Sequence, residues 1–118
     1  MAIIETNENQ SLDLLKTHYF NCSYNSLKNA YLDILEKMGH HIISVNDDYC
    51  EIFSEIGKME ITAKLIMQNP LSTSIDFTIS SFYILSSVSK AHKFIQRTLD
   101  ELEAKIQLKG ISLYKGQE

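Results

Sequence analysis

Apolar residues recur along this chain with two periods, and each change of period marks an element boundary. Across residues 24–38, Leu27, Ala30, Tyr31, Ile34, Leu35 and Met38 fall three and four apart. That spacing predicts a helix with one apolar face. Ser23 or Asn25 is placed to cap its start, and Gly39 stands where a left-handed residue ends a helix. From residue 41 the period is two. HIISV (41–45) and YCEIF (49–53) read as strands joined through Asn46, Asp47 and Asp48, a hairpin turn by composition. Gly57 marks a second tight turn. In KMEITAKLIMQ (58–68), Met59, Ile61, Ala63, Leu65 and Met67 face one way and the polar residues the other, with Ile66 the exception. Asn69-Pro70 breaks that strand. STSIDFTIS (72–80) then places Thr73, Ile75, Phe77 and Ile79 on a dry side, with Ser74, Asp76 and Thr78 on a wet one.

The helical period returns over residues 87–108, where Val88, Ala91, Ile95, Leu99, Leu102 and Ile106 form a stripe and Gly110 lies just past its end. The outer face of this helix carries Lys93, Arg97, Asp100, Glu101, Glu103 and Lys105, a mixed-charge surface. Near the front, alternation of His18, Phe20 and Cys22 predicts a short strand within 16–23. Residues 1–13 read as a loose tail, although Ile3 and Ile4 suit a sheet edge, and ISLY (111–114) as a short extended piece. With both helices striped on one side and the sheet dry on one face, the expected architecture is α+β. Its expected form is a two-layer domain, a curved antiparallel sheet of about five strands with two helices packed on one face.

Length and composition narrow the class. A chain of 118 residues suits one domain. An apolar share of 44% is enough to bury a core without metal or disulfide staples. Cys22 and Cys50 match no metal-ligand or redox spacing and are expected to be small buried hydrophobes in a reducing compartment. A net charge of −4 argues against nucleic acid as a partner. The N-terminal residues lack the pattern of a secretory signal, and no run is long enough to span a bilayer. The expectation is a cytoplasmic protein with no membrane partner.

The stretch LKNAYLDILEKMGHHIISVNDDYCEIFSEIG (27–57), a strand pair, and KFIQRTLDELEAKI (93–106) together give the order β-α-β-β-β-β-α. That order resembles one repeat of the TATA-box-binding-protein-like fold and a reduced helix-grip domain. It is also similar in pattern to small bacterial domains of unknown function. The resemblance spans about residues 16–108, with Gly39 and Gly57 as its punctuation, and carries over no functional residue. DNA-binding members of the fold use a basic saddle-shaped sheet. Here the wet face carries Lys58 and Lys64 but also Glu51, Glu55, Glu60 and Asp76.

Chemistry-bearing motifs are few. Ser87 and Lys90 have the S-x-x-K spacing, without the accompanying elements of a serine acyl-enzyme; Ser86 or Ser87 reads instead as a helix cap. Lys90, Lys93 and Arg97, with His92, cluster in the first turns of the last helix and are candidates for holding an anion. His18, His41 and Cys22 or Cys50 are conceivable zinc ligands if the first strand pairs near the third. The Asn46–Asp48 group lacks the glycine and glutamate of a calcium loop. None of these amounts to a catalytic constellation, a cofactor site or a metal site.

The run SSFYIL (80–85) raises a different possibility. If the strand from Ser72 continues, Phe82 and Ile84 fall on the wet face together with Ile66 and neighbouring Tyr49 and Phe53; if a loop folds back under the last helix, Phe82, Tyr83, Ile84 and Leu85 are all core. Phe82, Tyr83, Ile84 and Ile66 are therefore interface candidates. The expected function is a non-enzymatic interaction module, a homodimer or a subunit with a protein partner, using the sheet face or the 82–85 edge. The alternative is a binding domain for a small apolar or anionic ligand in a cavity between the C-terminal helix and the sheet, lined by Met38, Met59 and Met67.

Overall fold

A computed structural model of the chain describes residues 2–81 and 87–111. In order, the elements are strand β1 (Ala2–Glu5), a 3₁₀ turn (Asp13–Leu15), β2 (His18–Phe20), helix α1 (Tyr24–Lys37), β3 (His41–Asn46), β4 (Glu51–Ile56), β5 (Met59–Asn69), β6 (Ser72–Ser81), helix α2 (Ser87–Lys105) and β7 (Leu108–Ile111). The strands form one antiparallel sheet of order β3-β4-β5-β6-β2-β7, with β1 also on β6. The α+β class is the expected one, but the sheet has seven strands where about five were expected.

The two extra strands come from the ends of the chain. Residues 2–5 are not a loose tail: they pair with Thr78–Ser81, while β2 pairs with Thr73–Ile75 further along the same edge of β6. The two short strands thus share one edge of β6, separated by an excursion over residues 7–16. At the other end α2 stops at Lys105 rather than 108, and Leu108–Ile111 turns back to pair with β2. Gly110 lies opposite Tyr19 in that ladder instead of capping the helix.

Local chemistry sets the boundaries of α1. The Ser23 side chain accepts from the Ser26 N–H, as an N-cap does. At the other end Gly39 adopts φ +77°, the His40 N–H donates to the Leu35 carbonyl at 2.9 Å and the Gly39 N–H to that of Glu36 at 3.1 Å. This pair of bonds is the glycine-ended Schellman cap. Asn46 Oδ1 accepts from the N–H groups of Asp48 and Tyr49, closing the β3–β4 hairpin. Asp47 in that turn receives the Tyr24 hydroxyl at 2.8 Å and the Lys28 ammonium at 3.2 Å, which ties the hairpin to the first turn of α1.

The dry face of the sheet contributes Ile52, Ile61, Ala63, Leu65, Ile75, Phe77 and Ile79 to a single buried cluster. Leu27, Tyr31, Ile34 and Leu35 of α1 and Ala91, Phe94, Ile95, Leu99 and Leu102 of α2 close over them. Phe77 stands at the centre, 5.9 Å from the Tyr31 ring and 5.7 Å, edge-on, from Phe94. The expected cysteine burial is only partial: Cys22 and Cys50 are free thiols, each partly exposed, and Cys50 takes a positive φ at the end of the hairpin turn.

Candidate functional site

Of the interface candidates, Phe82, Tyr83 and Ile84 lie outside the described residues, as do Leu85 and Ser86. Ile66 is described, and its setting follows from register. β4 ends its pairing with β5 at Glu51 opposite Lys64, and one further bond joins the Leu65 N–H to the Cys50 carbonyl at 3.0 Å. Beyond that point β5 keeps β6 on one side and, among the described residues, has no strand on the other. The β5–β6 hairpin therefore overhangs the β3–β4 hairpin. Around the overhang four large apolar side chains are exposed: Tyr49 at 69%, Ile66 at 46%, Met67 at 53% and Leu71 at 76%. Met67 was expected on the inner face, and alternation does place it there. It is exposed because it lies on the overhanging end of the hairpin, which also removes it from any lining between the layers. Met38 and Met59 remain partly buried against the core. Phe53 is half-buried, paired with Thr62. β3 is an edge strand with Ile43 and Val45 also exposed, and it carries neither lysine, glutamate nor proline. Such residues are the usual protection of a sheet edge.

The open face of the sheet is acidic. Glu51 is opposite Lys64, which is opposite Asp76, and Glu55 is opposite Glu60. Lys58 sits in the Gly57 turn rather than in a strand.

The candidate anion site divides. Lys90, Lys93 and Arg97 are exposed on α2, but Lys93 and Arg97 lie in its second and third turns, away from its N-terminal end. Lys93 and Arg97 line a shallow open groove with Gln96, Asp100, Glu101 and Ala104, so two carboxylates share the surface with the two cations. Gln96 donates to Asp100 at 2.9 Å, and Lys37 of α1 holds Glu101 at 3.1 Å.

The conceivable zinc ligands do not meet. His18 is buried on β2 and His41 exposed on β3, on opposite sides of β4, β5 and β6 in the strand order. No cluster of three metal-ligating side chains occurs among the described residues. His40 is not an exposed imidazole at the helix–strand junction; it is buried with its ring 5.0 Å from Phe94, and burial holds its pKa below the ordinary value. His18 is likewise depressed by burial, opposed by a hydrogen bond to the Lys16 carbonyl.

Two arrangements escaped sequence reasoning. The first is at the split between β1 and β2. There the Asp76 carboxylate accepts the Thr6 hydroxyl at 2.7 Å and the Thr17 hydroxyl at 2.9 and 3.0 Å. Thr6 Oγ1 in turn accepts the Phe77 N–H, and the Asn7 N–H donates to the Leu15 carbonyl. These bonds close the neck of the 7–16 excursion, and Tyr19 donates to Glu8 to hold its far side. Burial pushes the Asp76 pKa up to about 6, against the lowering by both threonine hydroxyls, with the nearby Glu8 charge adding to the rise. An aspartate in the middle of a strand was itself a signal, since that residue is depleted there. Its partners, 70 and 59 positions away, were invisible.

The second is inside the core. The Tyr31 hydroxyl, Ser54 Oγ, Thr98 Oγ1 and His40 Nδ1 are buried without a hydrogen-bond partner among the described residues. Tyr31 faces Ser54 closely enough for that hydroxyl to lower its pKa slightly, yet no bond of normal geometry forms. Burial dominates and drives the phenol far above its usual range. A buried donor or acceptor left unmade costs about 1–3 kcal/mol. Tyr31→Phe is therefore expected to leave the fold unchanged in stability or up to about 1 kcal/mol more stable in chemical denaturation. A loss of stability would show that a guest molecule or water serves the phenol.

Among the described residues no helix is long and apolar enough to cross a membrane. The comparisons with known proteins found no matching family model, no matching curated protein and no matching solved structure.

Proposed function

We propose that this protein is a small non-enzymatic interaction module that associates with a second copy of itself through the overhanging β5–β6 hairpin. The observation that carries this reading is the exposed group Tyr49, Ile66, Met67 and Leu71 beside a stretch of β5 that, among the described residues, is paired on one side only. Exposed apolar side chains at one end of a sheet, next to a strand edge with no neighbour among the described residues, are the features by which sheet proteins recruit partners. The acidic open face, with Glu51, Glu55, Glu60 and Asp76 around Lys64, favours a protein partner over nucleic acid. The reading includes a cytoplasmic setting and no cofactor.

Light scattering across a dilution series tests it. The native chain is expected to show a concentration-dependent mass above that of the monomer. Ile66→Asp is expected to weaken the association roughly tenfold or more while leaving the circular dichroism unchanged. An unchanged mass in both Ile66→Asp and Leu71→Asp would refute the hairpin as the contact.

A second reading, a binding domain for a small molecule between the layers, is favoured by four buried polar atoms without a partner among the described residues, two of them on rings that lie beside Phe77 (Tyr31) and Phe94 (His40). It requires a guest with hydrogen-bonding groups, and the Tyr31→Phe measurement separates it from a dry core.

A further inference from the structure

The outer stripe of α2 has a property that the hairpin does not share. Lys93, Gln96, Arg97, Asp100, Glu101 and Ala104 line one groove at spacings of three and four, so they form a single row along the helix. The buried residues Ala91, Phe94, Ile95, Thr98, Leu99 and Leu102 occupy the opposite side. The row reads basic, then acidic, then small. It is also symmetric about the point midway between Arg97 and Asp100. In an antiparallel two-fold pairing, Arg97 lies opposite Asp100 of the other copy, Gln96 opposite Glu101, and Lys93 opposite Ala104. From the same position Lys93 reaches the other copy's Glu101 one turn away.

The charge order in the first half of the stripe works against the helix itself. Lys90 occupies the first turn, which contains no acid, at the end of the macrodipole that disfavours a cation; the last turn carries Glu103 beside Lys105, which that end favours. Lys93 and Arg97 are like charges four apart. Arg97 precedes Glu101 in the poorer of the two orientations for a helical ion pair, and Glu101 is bonded instead to Lys37 of α1. The basic half of the row is poorly placed for the isolated helix, and the row as a whole matches its own image. It is also locally neutral, two cations against two carboxylates, on a chain whose net charge of −4 otherwise makes copies repel.

We infer that the outer stripe of α2 seats the same stripe of a second copy in an antiparallel two-fold contact, set by reciprocal Arg97–Asp100 pairs. The contact lies on the face of α2 turned away from the sheet and is separate from the hairpin. A chain using both would assemble beyond a dimer, and blocking one would leave the other.

The test uses sedimentation or light scattering of the full chain carrying Ile66→Asp, with Leu71→Asp as a second background. The expected result is a residual dimer that weakens at least tenfold between low and high salt, about 50 and 500 mM. In that background Arg97→Glu and Asp100→Arg, each alone, are expected to give folded monomers, because each sets like charges opposite one another twice. Mixing the two variants is expected to restore the dimer, because every facing pair is then of opposite sign. A monomer in both backgrounds at all concentrations and salt levels overturns the inference, as does a mass unmoved by either charge reversal or a mixture that stays monomeric. Failure of the hairpin reading has a different signature: Ile66→Asp and Leu71→Asp leave the native mass unchanged, while the charge reversals still dissociate it.

Discussion

Phe77→Ala is expected to cost about 3–5 kcal/mol of folding stability, read as a shift of the denaturation midpoint. The residue is buried on β6, between the Tyr31 ring of α1 and the Phe94 ring of α2, and so touches both helices and the sheet at once. Truncation removes the transfer free energy of the ring and leaves a cavity bounded by two helices and a sheet, none of which is free to collapse into it. For a domain whose whole stability is of order 5–15 kcal/mol, this is a large part of the total. Phe77→Leu, which keeps most of the volume, is expected to cost under about 2 kcal/mol. If alanine costs no more than leucine, the helices do not rest on this ring and the packing described above is wrong at its centre.

Asp76→Asn is expected to stabilise the fold by about 1–2 kcal/mol near pH 7.5, after discounting the shift for the solvent that its partial exposure admits. The folded pKa is raised, from an ordinary 3.8 to about 6. The favourable contribution of this group is therefore fully present below about pH 4 and is lost as the pH rises through 6. At pH 7.5 the native protein carries a carboxylate that burial opposes; asparagine keeps an acceptor for Thr6 and Thr17 without that charge. Lys64, opposite Asp76 in the ladder, makes no ion pair with it, and Glu8 adds repulsion. The gain should shrink to nothing as the pH falls from 7 to 4. His18 and His40 act in the opposite sense: their depressed folded pKa values give stability that is present above 6.5 and lost as the pH falls. The difference between the Asp76→Asn and native curves cancels the histidines and isolates the carboxylate. A difference that does not vary with pH, or a destabilised variant at pH 7.5, would show that the charge is needed to hold the neck of the 7–16 excursion.

The candidate surfaces were legible to different degrees. Ile66 broke the alternation of its strand, and that irregularity was visible in the sequence and ends as an exposed side chain. Met67 obeyed the alternation and is exposed all the same, because face is a local property and coverage is not. The α2 stripe was visible as a mixed-charge face. Its symmetry acquires meaning only from the groove that gathers six of its residues and excludes Lys90, Glu103 and Lys105.

The sequence by itself determined the elements that rest on local rules. Both helices, the three hairpins of β3 to β6 and the dry face of β5 and β6 follow from period and turn residues, from Ser23 as a cap, and from Gly39 and Gly57 at positive φ. These depend on neighbours within a few residues, so the pattern is complete in the chain itself. Tertiary structure alone decided what depends on pairing across long separations. β1 and β7 are four residues each, too short to declare themselves, and become strands because β6 and β2 offer open edges. Asp76 becomes a clamp because Thr6 and Thr17 arrive at it from either side of the excursion, and His18 and His41 are kept apart by the strand order. The reason is the same in each case: a short strand or a lone polar side chain gains its stability from a distant partner, and one-dimensional periodicity does not record which partner that is.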